Sequence, residues 1–436
     1  MHYNCRKRKE VMHLKKYLPR IADIILQERL ESKGCVLIEG PKWCGKTTTA
    51  KNFAKSVITM DKPDLTKQYI EMAELNPRGL LEGDIPHLID EWQIAPNIWN
   101  AVRHEVDNRD DFGQFILTGS AVPTELDSSA HTGTGRISRL YMRPMSLYES
   151  GESSGQVSLK ELFNGKNAEG TDDHSLDDIA FEICRGGWPK SIGLLRKIAL
   201  RQAIDYFDAV TSIDIRRVDN VKRDKEKAKR LLKSYARNIS TKATLETIRQ
   251  DMLANETDTF DKATMHSYLD ALRKIFVIED SPSWNPNLRS KTAIRTTDTR
   301  YFVDPSIATA ALGMGPQDLL NDLNTMGLFF ENLCVRDLRI YADILEGSVY
   351  NYRDKSDLEC DVALHLRNGS YALIEIKLGG DRLIEEGAKN LISLASKIDT
   401  GRMNKPSFMM VLCAIAPFAY KRKDGVFVVP VSCLKP

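Results

Sequence analysis

The sequence predicts an α/β protein in which a parallel sheet carries a phosphate-binding turn and is followed by a helical segment and a second α/β region. From Cys35 to about Glu149, short apolar runs alternate with helix-like stretches, which is typical of a parallel sheet with helical connections. A glycine-containing turn follows the first of these runs at 40–48. Strand-like runs return between 361 and 377, near the end of the chain.

Length and composition indicate a protein of several domains that works in a reducing compartment. The chain has 436 residues, enough for two or three domains, with 42% hydrophobic and 28% charged residues. It has no apolar run of transmembrane length, so no membrane partner is expected. The 8 cysteines are scattered without a CxxC pair, which favours reduced thiols over a zinc site or a disulfide framework. We therefore expect a cytoplasmic protein.

The first chemical motif is the turn between a buried strand, CVLIE, and a helix, TTAKNFAK. It matches G-x-x-x-x-G-K-[ST] at every fixed position. In such a turn, backbone amides and the positive end of the helix dipole surround phosphates, the lysine adds charge on the β- and γ-phosphates, and the threonine hydroxyl ligates magnesium. The motif predicts binding of ATP (or GTP) with Mg²⁺, and the predicted contact residues are Gly40, Pro41, Lys42, Trp43, Cys44, Gly45, Lys46, Thr47 and Thr48.

A second motif, HLIDE, ends an apolar run with two carboxylates. Asp90 stands 44 residues after Lys46 (90 minus 46) in the same α/β segment. One acid at the end of such a strand binds magnesium, and the next one polarises the attacking water. We assign these two roles to Asp90 and Glu91, and the presence of Glu91 favours hydrolysis over simple binding.

Two further groups are candidates for the same site. Thr118 and Ser120 end the run QFILTGS, and strand ends of a parallel sheet converge on the ligand crevice. Ser120 is therefore a candidate to hold the water or the γ-phosphate, against the alternative of a plain strand-to-turn transition. Arg136 and Arg139 follow in HTGTGRISRL, and we take Arg136 as the candidate to stabilise transition-state charge. The alternative is that both are ordinary surface arginines.

The middle of the chain is predicted to form two helices followed by a two-stranded wing. Two stripes of apolar residues at helical spacing precede the strand-like FVIED and YFVDP, an order that is typical of a winged helix. DNA binding and internal packing are both uses of that fold. A basic run from Ile215 to Asn238 has 10 Lys or Arg against 3 acids. It predicts either a solvated helix face or a nucleic-acid patch of Arg216, Arg217, Lys222, Arg223, Lys225, Lys227, Lys229 and Arg230.

The motifs GPKWCGKTT, LIDEWQ, FILTGS, TGRISRLYMRPMSLYES, DVALHL and ALIEIK together resemble a prokaryotic ATPase family of the extended AAA class. Its members carry a C-terminal domain of unknown function with a restriction-endonuclease-like core. The resemblance covers nearly the whole chain, from about Tyr17. It implies an AAA-type P-loop ATPase domain over 17–178, a helical and winged-helix segment over 179–312, and a PD-(D/E)xK nuclease-like α/β domain over 313–436.

Nuclease-like cores of this kind use an Asp and then Glu-x-Lys on paired strands, often with a Glu from a preceding helix. Asp361, Glu375 and Lys377 match that pattern, and Glu331 is the candidate helical acid. Aligning the apolar faces of the two strands pairs 366 with 372, 364 with 374 and 362 with 376, around a three-residue Asn-Gly-Ser turn. This register puts Asp361 opposite Lys377 and on the face of Glu375, which predicts a second metal site at Asp361 and Glu375. The alternative is the solvent-facing side of an ordinary hairpin.

The leading functional hypothesis is a magnesium-dependent ATP hydrolase that couples its nucleotide state to a C-terminal effector domain, with DNA as a candidate partner. One alternative is a metal-dependent nuclease that ATP regulates. Another is a nucleotide-dependent scaffold or sensor that does not hydrolyse. The sequence leaves open whether the chain forms an oligomer.

Overall fold

The computed structural model of the chain describes residues 17–120, 135–219, 221–253, 260–285, 297–354, 358–401 and 403–436. Its first sheet has five strands, all parallel, in the order β2-β3-β4-β1-β5. This confirms the predicted α/β architecture with a parallel sheet. The strands are β1 (Cys35–Glu39), β2 (Ser56–Thr59), β3 (His87–Asp90), β4 (Phe115–Gly119) and β5 (Ile137–Tyr141).

Apolar residues on both faces of the central strands fix this sheet. Every residue of β3 and β4 is buried, and so are the first four of β1, because helices cover both faces. β4 lies between β1 and β3. The chain segments that follow these three strands therefore meet at one edge. The helices around the sheet are α1 (Ile21–Leu30), α2 (Lys46–Phe53), α3 (Thr66–Leu75), α4 (Asn97–Arg109) and α5 (Leu147–Ser150).

Short elements and then helices form the middle of the chain. A five-residue π-helical stretch, Val210–Asp214, continues the helix Arg196–Ala209. The elements are β6 (Val157–Ser158), α6 (Leu159–Phe163), β7 (Gly170–Thr171), α7 (Leu176–Arg185), α8 (Arg196–Ala209), α9 (Ile215–Arg217), α10 (Lys225–Arg237), α11 (Leu245–Leu253), α12 (Lys262–Lys274), α13 (Pro305–Leu312) and α14 (Pro316–Asn321).

The region expected to be a winged helix has the predicted order of helices. α11 and α12 are followed by two antiparallel bridges, Ile278 with Phe302 and Ser281 with Thr299. The connection between the two expected wing strands, at 286–296, lies outside the described residues. The winged-helix assignment stays a prediction.

The last region is a mixed seven-stranded sheet between two long helices. The strand order is β7-β12-β13-β11-β10-β9-β8. Alternate residues of β9 and β10 pack against α16, and the others join the main core with α15. The elements are α15 (Leu323–Ile344), β8 (Gly347–Arg353), β9 (Glu359–Leu366), β10 (Tyr371–Lys377), α16 (Asp381–Lys397), β11 (Phe408–Cys413), β12 (Phe418–Lys421), β13 (Phe427–Pro430) and β14 (Leu434–Lys435).

The polar stretch 151–178 contains short elements that pair with the C-terminal region. β7 pairs with β12, and β6 pairs with β14. Strands of two residues carry no alternation of their own and are set by their partners. Among the described residues, no helix is both long and apolar enough to span a bilayer.

Candidate functional site

The turn at 40–48 connects the end of β1 to the start of α2. Gly40 and Gly45 have φ of +150° and +107°, which side chains rarely tolerate. A Cβ on Gly40 would lie 2.1 Å from the backbone oxygen of Met142, so a larger residue has no room there. No side chain caps α2 at Gly45, which leaves the first amides of the helix directed at the turn. The backbone therefore offers donors for an anion.

Lys46 is held inside this turn. Its Nζ donates to the backbone oxygens of Gly40 (2.9 Å) and Pro41 (2.8 Å), and the residue is 6% exposed. Cys44 is buried and its Sγ donates to the oxygen of Met142 (3.2 Å). Its thiol faces the protein interior, away from a ligand. The cationic group thus stands at the place where phosphates are expected.

Asp90 ends β3 and joins the turn to the sheet. It is 4% exposed, and its Oδ1 accepts hydrogen bonds from Thr47 Oγ1 (2.7 Å) and from Thr118 Oγ1. Thr118 is directly across from Asp90 in the neighbouring strand β4. A hydroxyl and a carboxylate from positions 43 residues apart are therefore in contact. These are oxygen ligands of the kind that Mg²⁺ prefers, so this pair could hold the ion.

Glu91 follows with a left-handed backbone, φ +56°. Its Oε2 accepts from Ser120 Oγ (3.3 Å) and from Gln93 Nε2, while its amide donates to Thr118 Oγ1 (3.4 Å). The left-handed turn directs this carboxylate away from the direction that β3 would give it. Glu91, Gln93 and Ser120 all line the cavity above the turn.

That cavity has a volume of about 670 Å³ and is shared between the sheet and the middle segment. Lys42 Nζ, at its rim, pairs with Asp214 Oδ1 of the π-helical stretch (2.5 Å). The Trp43 ring lies 5.5 Å from that of Tyr206. A second cavity of about 430 Å³ shares part of this lining and extends to Tyr17, Leu18, Arg20, Met145, Ile192, Leu194 and Gln202.

Arg136 is not brought to this site. It precedes β5, which runs parallel to β1 with Ile137 beside Cys35, so it lies at the amino end of the sheet. There its Nε pairs with Asp107 (2.5 Å). The phosphate turn follows the other end of β1, roughly 13 Å away at 3.3 Å per residue. The expectation that Arg136 acts in the site of its own chain is corrected accordingly.

Arg139 does not line the larger cavity either, and its Nη1 lies 3.4 Å from Glu39 Oε2. Of the described cations, those that line the larger cavity are Lys42, Lys46 and Lys190. Sequence reasoning missed Lys190, which follows the Gly-Gly-Trp-Pro run at 186–189, whose first three residues are buried. A possible signal was Gly187, where a Cβ would lie 2.1 Å from the oxygen of Met145. That crowding marks a close approach to the segment between β5 and α5, where the Met145 amide also donates to the Gly187 oxygen (2.7 Å).

The hairpin of β9 and β10 brings together the residues of the second predicted metal site. Lys377 Nζ lies 2.6 Å from Glu375 Oε2 and 3.5 Å from Asp361 Oδ2, and Asp361 also accepts from the amide of Ile376 (2.7 Å). Glu331 of α15 accepts from the hydroxyl of Tyr301. A cavity of about 460 Å³ is lined by Glu331, Asp361 and Lys377.

The predicted register of this hairpin is wrong by two residues. The Leu366 amide donates to the Ser370 oxygen (2.8 Å), so the turn has three residues, 367–369, and lies one position earlier than the expected Asn-Gly-Ser. A shift of two keeps each residue on its face, so the face assignment holds while the cross-strand partners change. The observed pairs are Tyr371 with His365, Ala372 with Leu364, Leu373 with Ala363 and Ile374 with Val362.

Burial raises the pKa of two carboxyl groups of this acidic cluster, Glu375 and Glu331. Burial, and then Asp361, raise the pKa of Glu375 to about 8, and the same two causes raise the pKa of Glu331 well above its usual value. Burial alone would lower the pKa of Lys377, but Asp361 and Glu375 raise it. Burial lowers the pKa of Lys242, at the cavity wall, to about 8. The ammonium of Lys377 therefore lies between two carboxyl groups that a metal ion could otherwise share.

Three residues of the basic run at 215–238 show how its charges are used. Arg223 is 3% exposed and its guanidinium binds Asp219 (2.6 Å) and Ser267, so it supports the fold and cannot contact a nucleic acid. Lys229 pairs with Asp208 (3.7 Å). Lys225, at the start of α10, is exposed.

Comparison with known proteins places three family models along the chain. Residues 32–151 match an AAA domain, residues 176–318 match the domain of unknown function DUF8612, and residues 326–434 match the domain of unknown function DUF4143. The chain thus carries a P-loop domain of the AAA ATPase type. The C-terminal match assigns no activity, so the nuclease-like character of that region stays a prediction.

Three solved structures show more distant likeness. The Walker-type ATPase PABY2304 of Pyrococcus abyssi is 15% identical, with 66% of this chain and 94% of that chain covered and a TM-score of 0.41. A DNA replication initiation factor is 15% identical (58% and 88% covered, TM-score 0.22). PCH-2 of C. elegans is 14% identical (58% and 65% covered, TM-score 0.20). No curated protein matches this chain.

Proposed function

We propose that the chain hydrolyses ATP in a magnesium-dependent reaction at the edge of the first sheet. The observation that carries this proposal is the 2.7 Å hydrogen bond between Thr47 Oγ1 and Asp90 Oδ1, which joins the phosphate turn to the acidic motif at 90–91. Magnesium bound there would neutralise charge on the phosphates. Lys46 and the first amides of α2 would bind the β- and γ-phosphates.

Glu91 is the general base of this proposal. Its carboxylate lines the same cavity as Lys46 and Thr47, and Ser120 Oγ at 3.3 Å limits how it can turn. A carboxylate there can accept a proton from water while the neighbouring Asp90 stays with the metal. Gln93 Nε2, which donates to Glu91, acts as a positioning group.

The second cavity offers a place for the base and ribose. It begins beside Gly45 and Thr48, where a nucleotide leaves the turn, and its walls include the apolar Leu18, Ile192 and Leu194. Concave, largely apolar pockets with a few polar groups are typical of sites that bind small molecules and cofactors. Tyr17, whose hydroxyl bonds to Asp23 and Thr49, closes one side.

The test is Lys46→Ala, assayed for phosphate release from ATP and from GTP, with Mg²⁺ and with EDTA. We expect a loss of turnover of about a hundredfold or more, since the ammonium acts on transition-state charge in a site that excludes water. Lys51→Ala is the matched control, because Lys51 lies on the same helix with an exposed side chain. Unchanged turnover in folded Lys46→Ala protein would remove the assignment of this site.

The second candidate function is metal-dependent cleavage of a phosphodiester at the acidic cluster of Glu331, Asp361, Glu375 and Lys377. A specific observation favours it: Glu375 is 1% exposed and its Oε1 has no hydrogen-bond partner. Lys377 Nζ is bound to the other oxygen, Oε2, and a metal ion at Oε1 would give this buried oxygen a partner as well. Asp361 and Glu375 would hold the metal, and Glu331 would add a third carboxylate.

This candidate is tested by incubating plasmid and single-stranded DNA with Mn²⁺ or Mg²⁺, with and without ATP. Cleavage that Asp361→Asn abolishes, while ATP turnover persists, would support it. Nucleotide binding without turnover in any condition would instead favour the scaffold or sensor.

A further inference from the structure

The cavity above the phosphate turn and the smaller cavity beside it share part of their walls. Gly45, Thr48, Pro189 and Lys190 line both of them, so these residues surround the opening between the two. In ATP the α-phosphate stands between the β-phosphate and the ribose. With the β- and γ-phosphates at the turn and the ribose in the smaller cavity, the α-phosphate has to lie in this opening. The inference below therefore rests on the nucleotide site proposed above.

The two walls of the opening come from different parts of the chain. Gly45 and Thr48 belong to the phosphate turn and to the start of α2. The opposite wall is a short 3₁₀ turn, Pro189–Ser191, in the link between α7 and α8. The walls are close together, since a Cβ on Gly45 would lie 3.5 Å from Cγ of Pro189. A group in the middle segment can therefore contact a ligand that the turn holds.

The positive charge at the opening is that of Lys190. Of the described cations, Arg20 and Lys190 line the smaller cavity. Each of the three nitrogens of the Arg20 guanidinium already donates to a protein oxygen, at 2.7, 2.8 and 3.0 Å. Lys190 is exposed, and no carboxylate of the described residues pairs with its ammonium. Lys190 thus has a charge available for an anionic ligand.

The neighbours of Lys190 hold its backbone in place. Trp188 is 1% exposed, its ring stacks on that of Tyr206 with centroids 4.2 Å apart, and its Nε1 donates to Ser306 Oγ (3.0 Å). Ser191 is buried, and its hydroxyl donates to the backbone oxygen of Trp188 (2.7 Å). Because the backbone on both sides is fixed before a ligand arrives, binding has to order only the lysine side chain.

We propose that Lys190 binds the α-phosphate of the nucleotide from the middle segment. An ammonium is a compact charge with three donors, which suits a phosphate oxygen that can be approached from several directions. ATP and ADP both carry the α-phosphate. The contact would therefore persist after hydrolysis, and the nucleotide would link the first sheet to the middle segment in both states.

The experiment measures dissociation constants by calorimetry on the full chain with Mg²⁺. The ligands are ADP and the β,γ-imido analogue of ATP, which is not turned over during the titration. Lys190→Met keeps the length of the side chain and removes its charge. We expect it to weaken both nucleotides by the same factor, about tenfold or more, because a charge-assisted hydrogen bond is lost from each.

Lys197→Met is the matched control, because Lys197 is an exposed lysine at the start of α8 that lines neither cavity. It should bind both nucleotides as the wild type does, and an equal loss of affinity in this control would overturn the proposal. Since Lys190 is exposed, Lys190→Met should fold, with the melting temperature of the wild type in the absence of nucleotide.

Two further results would contradict the α-phosphate contact. Weaker binding of the imido analogue with unchanged ADP affinity would place Lys190 at the γ-phosphate, and unchanged affinity for both would remove it from the site. Lys46→Ala separates this inference from the proposed function. If the wild type binds neither nucleotide, both fall. If Lys46→Ala loses binding while Lys190→Met keeps wild-type affinity, the inference about Lys190 falls alone.

Discussion

Replacement of Glu91 by Gln isolates the chemical step from nucleotide binding. The amide has the size and shape of the carboxylate, so the contact with Ser120 Oγ at 3.3 Å can persist. It cannot accept a proton from water. The partly exposed side chain makes no metal contact in our assignment, since Asp90 holds Thr47 and the metal.

The expected magnitude follows from the base role. A positioned general base contributes about 10²- to 10⁴-fold, or roughly 3 to 5 kcal/mol of transition-state stabilisation at about 1.4 kcal/mol per tenfold. We expect the turnover number to fall by that factor. The dissociation constant of Mg²⁺–ATP should change by less than about threefold, since the P-loop and Asp90 are untouched.

The assay measures phosphate release at saturating ATP together with ATP affinity by calorimetry, for the wild type, Glu91→Gln and Asp90→Asn. Asp90→Asn should lose the Mg²⁺-dependence of binding as well as turnover. Glu71→Gln, an exposed change on α3, is the control. Equal loss of affinity and rate in Glu91→Gln would mean that Glu91 is a metal or structural residue. Wild-type turnover would exclude it as the base.

Three further predictions concern the turn, the acidic cluster and the basic helix. Gly40→Ala should abolish nucleotide binding in a protein that still folds, because the new Cβ would lie 2.1 Å from the Met142 oxygen; wild-type affinity by calorimetry would refute this. Glu375 has a folded pKa of about 8, above its unfolded value, so its stabilisation is present in acid and is lost as pH rises toward 8. Glu375→Gln should therefore flatten the fall of melting temperature between pH 5 and pH 8, and parallel profiles would contradict that pKa. If α10 binds nucleic acid, affinity should drop steeply with salt and weaken further in Lys225→Glu, whereas no binding at low salt would leave a solvated face.

Local motifs were the most predictable part of this molecule. The turn at 40–48 and the acids at 90–91 are each encoded in a few adjacent residues, and the parallel sheet carries them to one edge. Arg136 shows where such reasoning failed. It stands before its strand and not after it, and a parallel sheet then places it at the edge opposite the phosphate turn. The predicted direction of β5 was therefore enough to place Arg136 away from the phosphate turn.

The hairpin of β9 and β10 shows a physical limit of pattern reading. Alternation of apolar residues has a period of two, so registers that differ by two residues bury the same faces equally well. Only the turn distinguishes them, and the turn at 367–369, closed by the hydrogen bond from Leu366 to Ser370, sets the observed pairs. The pairing of β7 with β12 is less predictable still, since 170–171 is too short to carry a pattern. Lys190 reaches the cavity through such tertiary packing.

The proposed hydrolysis also suggests how nucleotide state could reach the rest of the chain. Lys42 lies in the phosphate turn, and its Nζ pairs with Asp214, which is 7% exposed in a π-helical stretch. Phosphates in the turn would compete for the Lys42 ammonium, and a buried Asp214 without its cation is destabilised. We therefore expect the stretch 210–214 to rearrange on binding ATP. Because α9 begins at the next residue, that rearrangement would be passed to the helices of the middle segment.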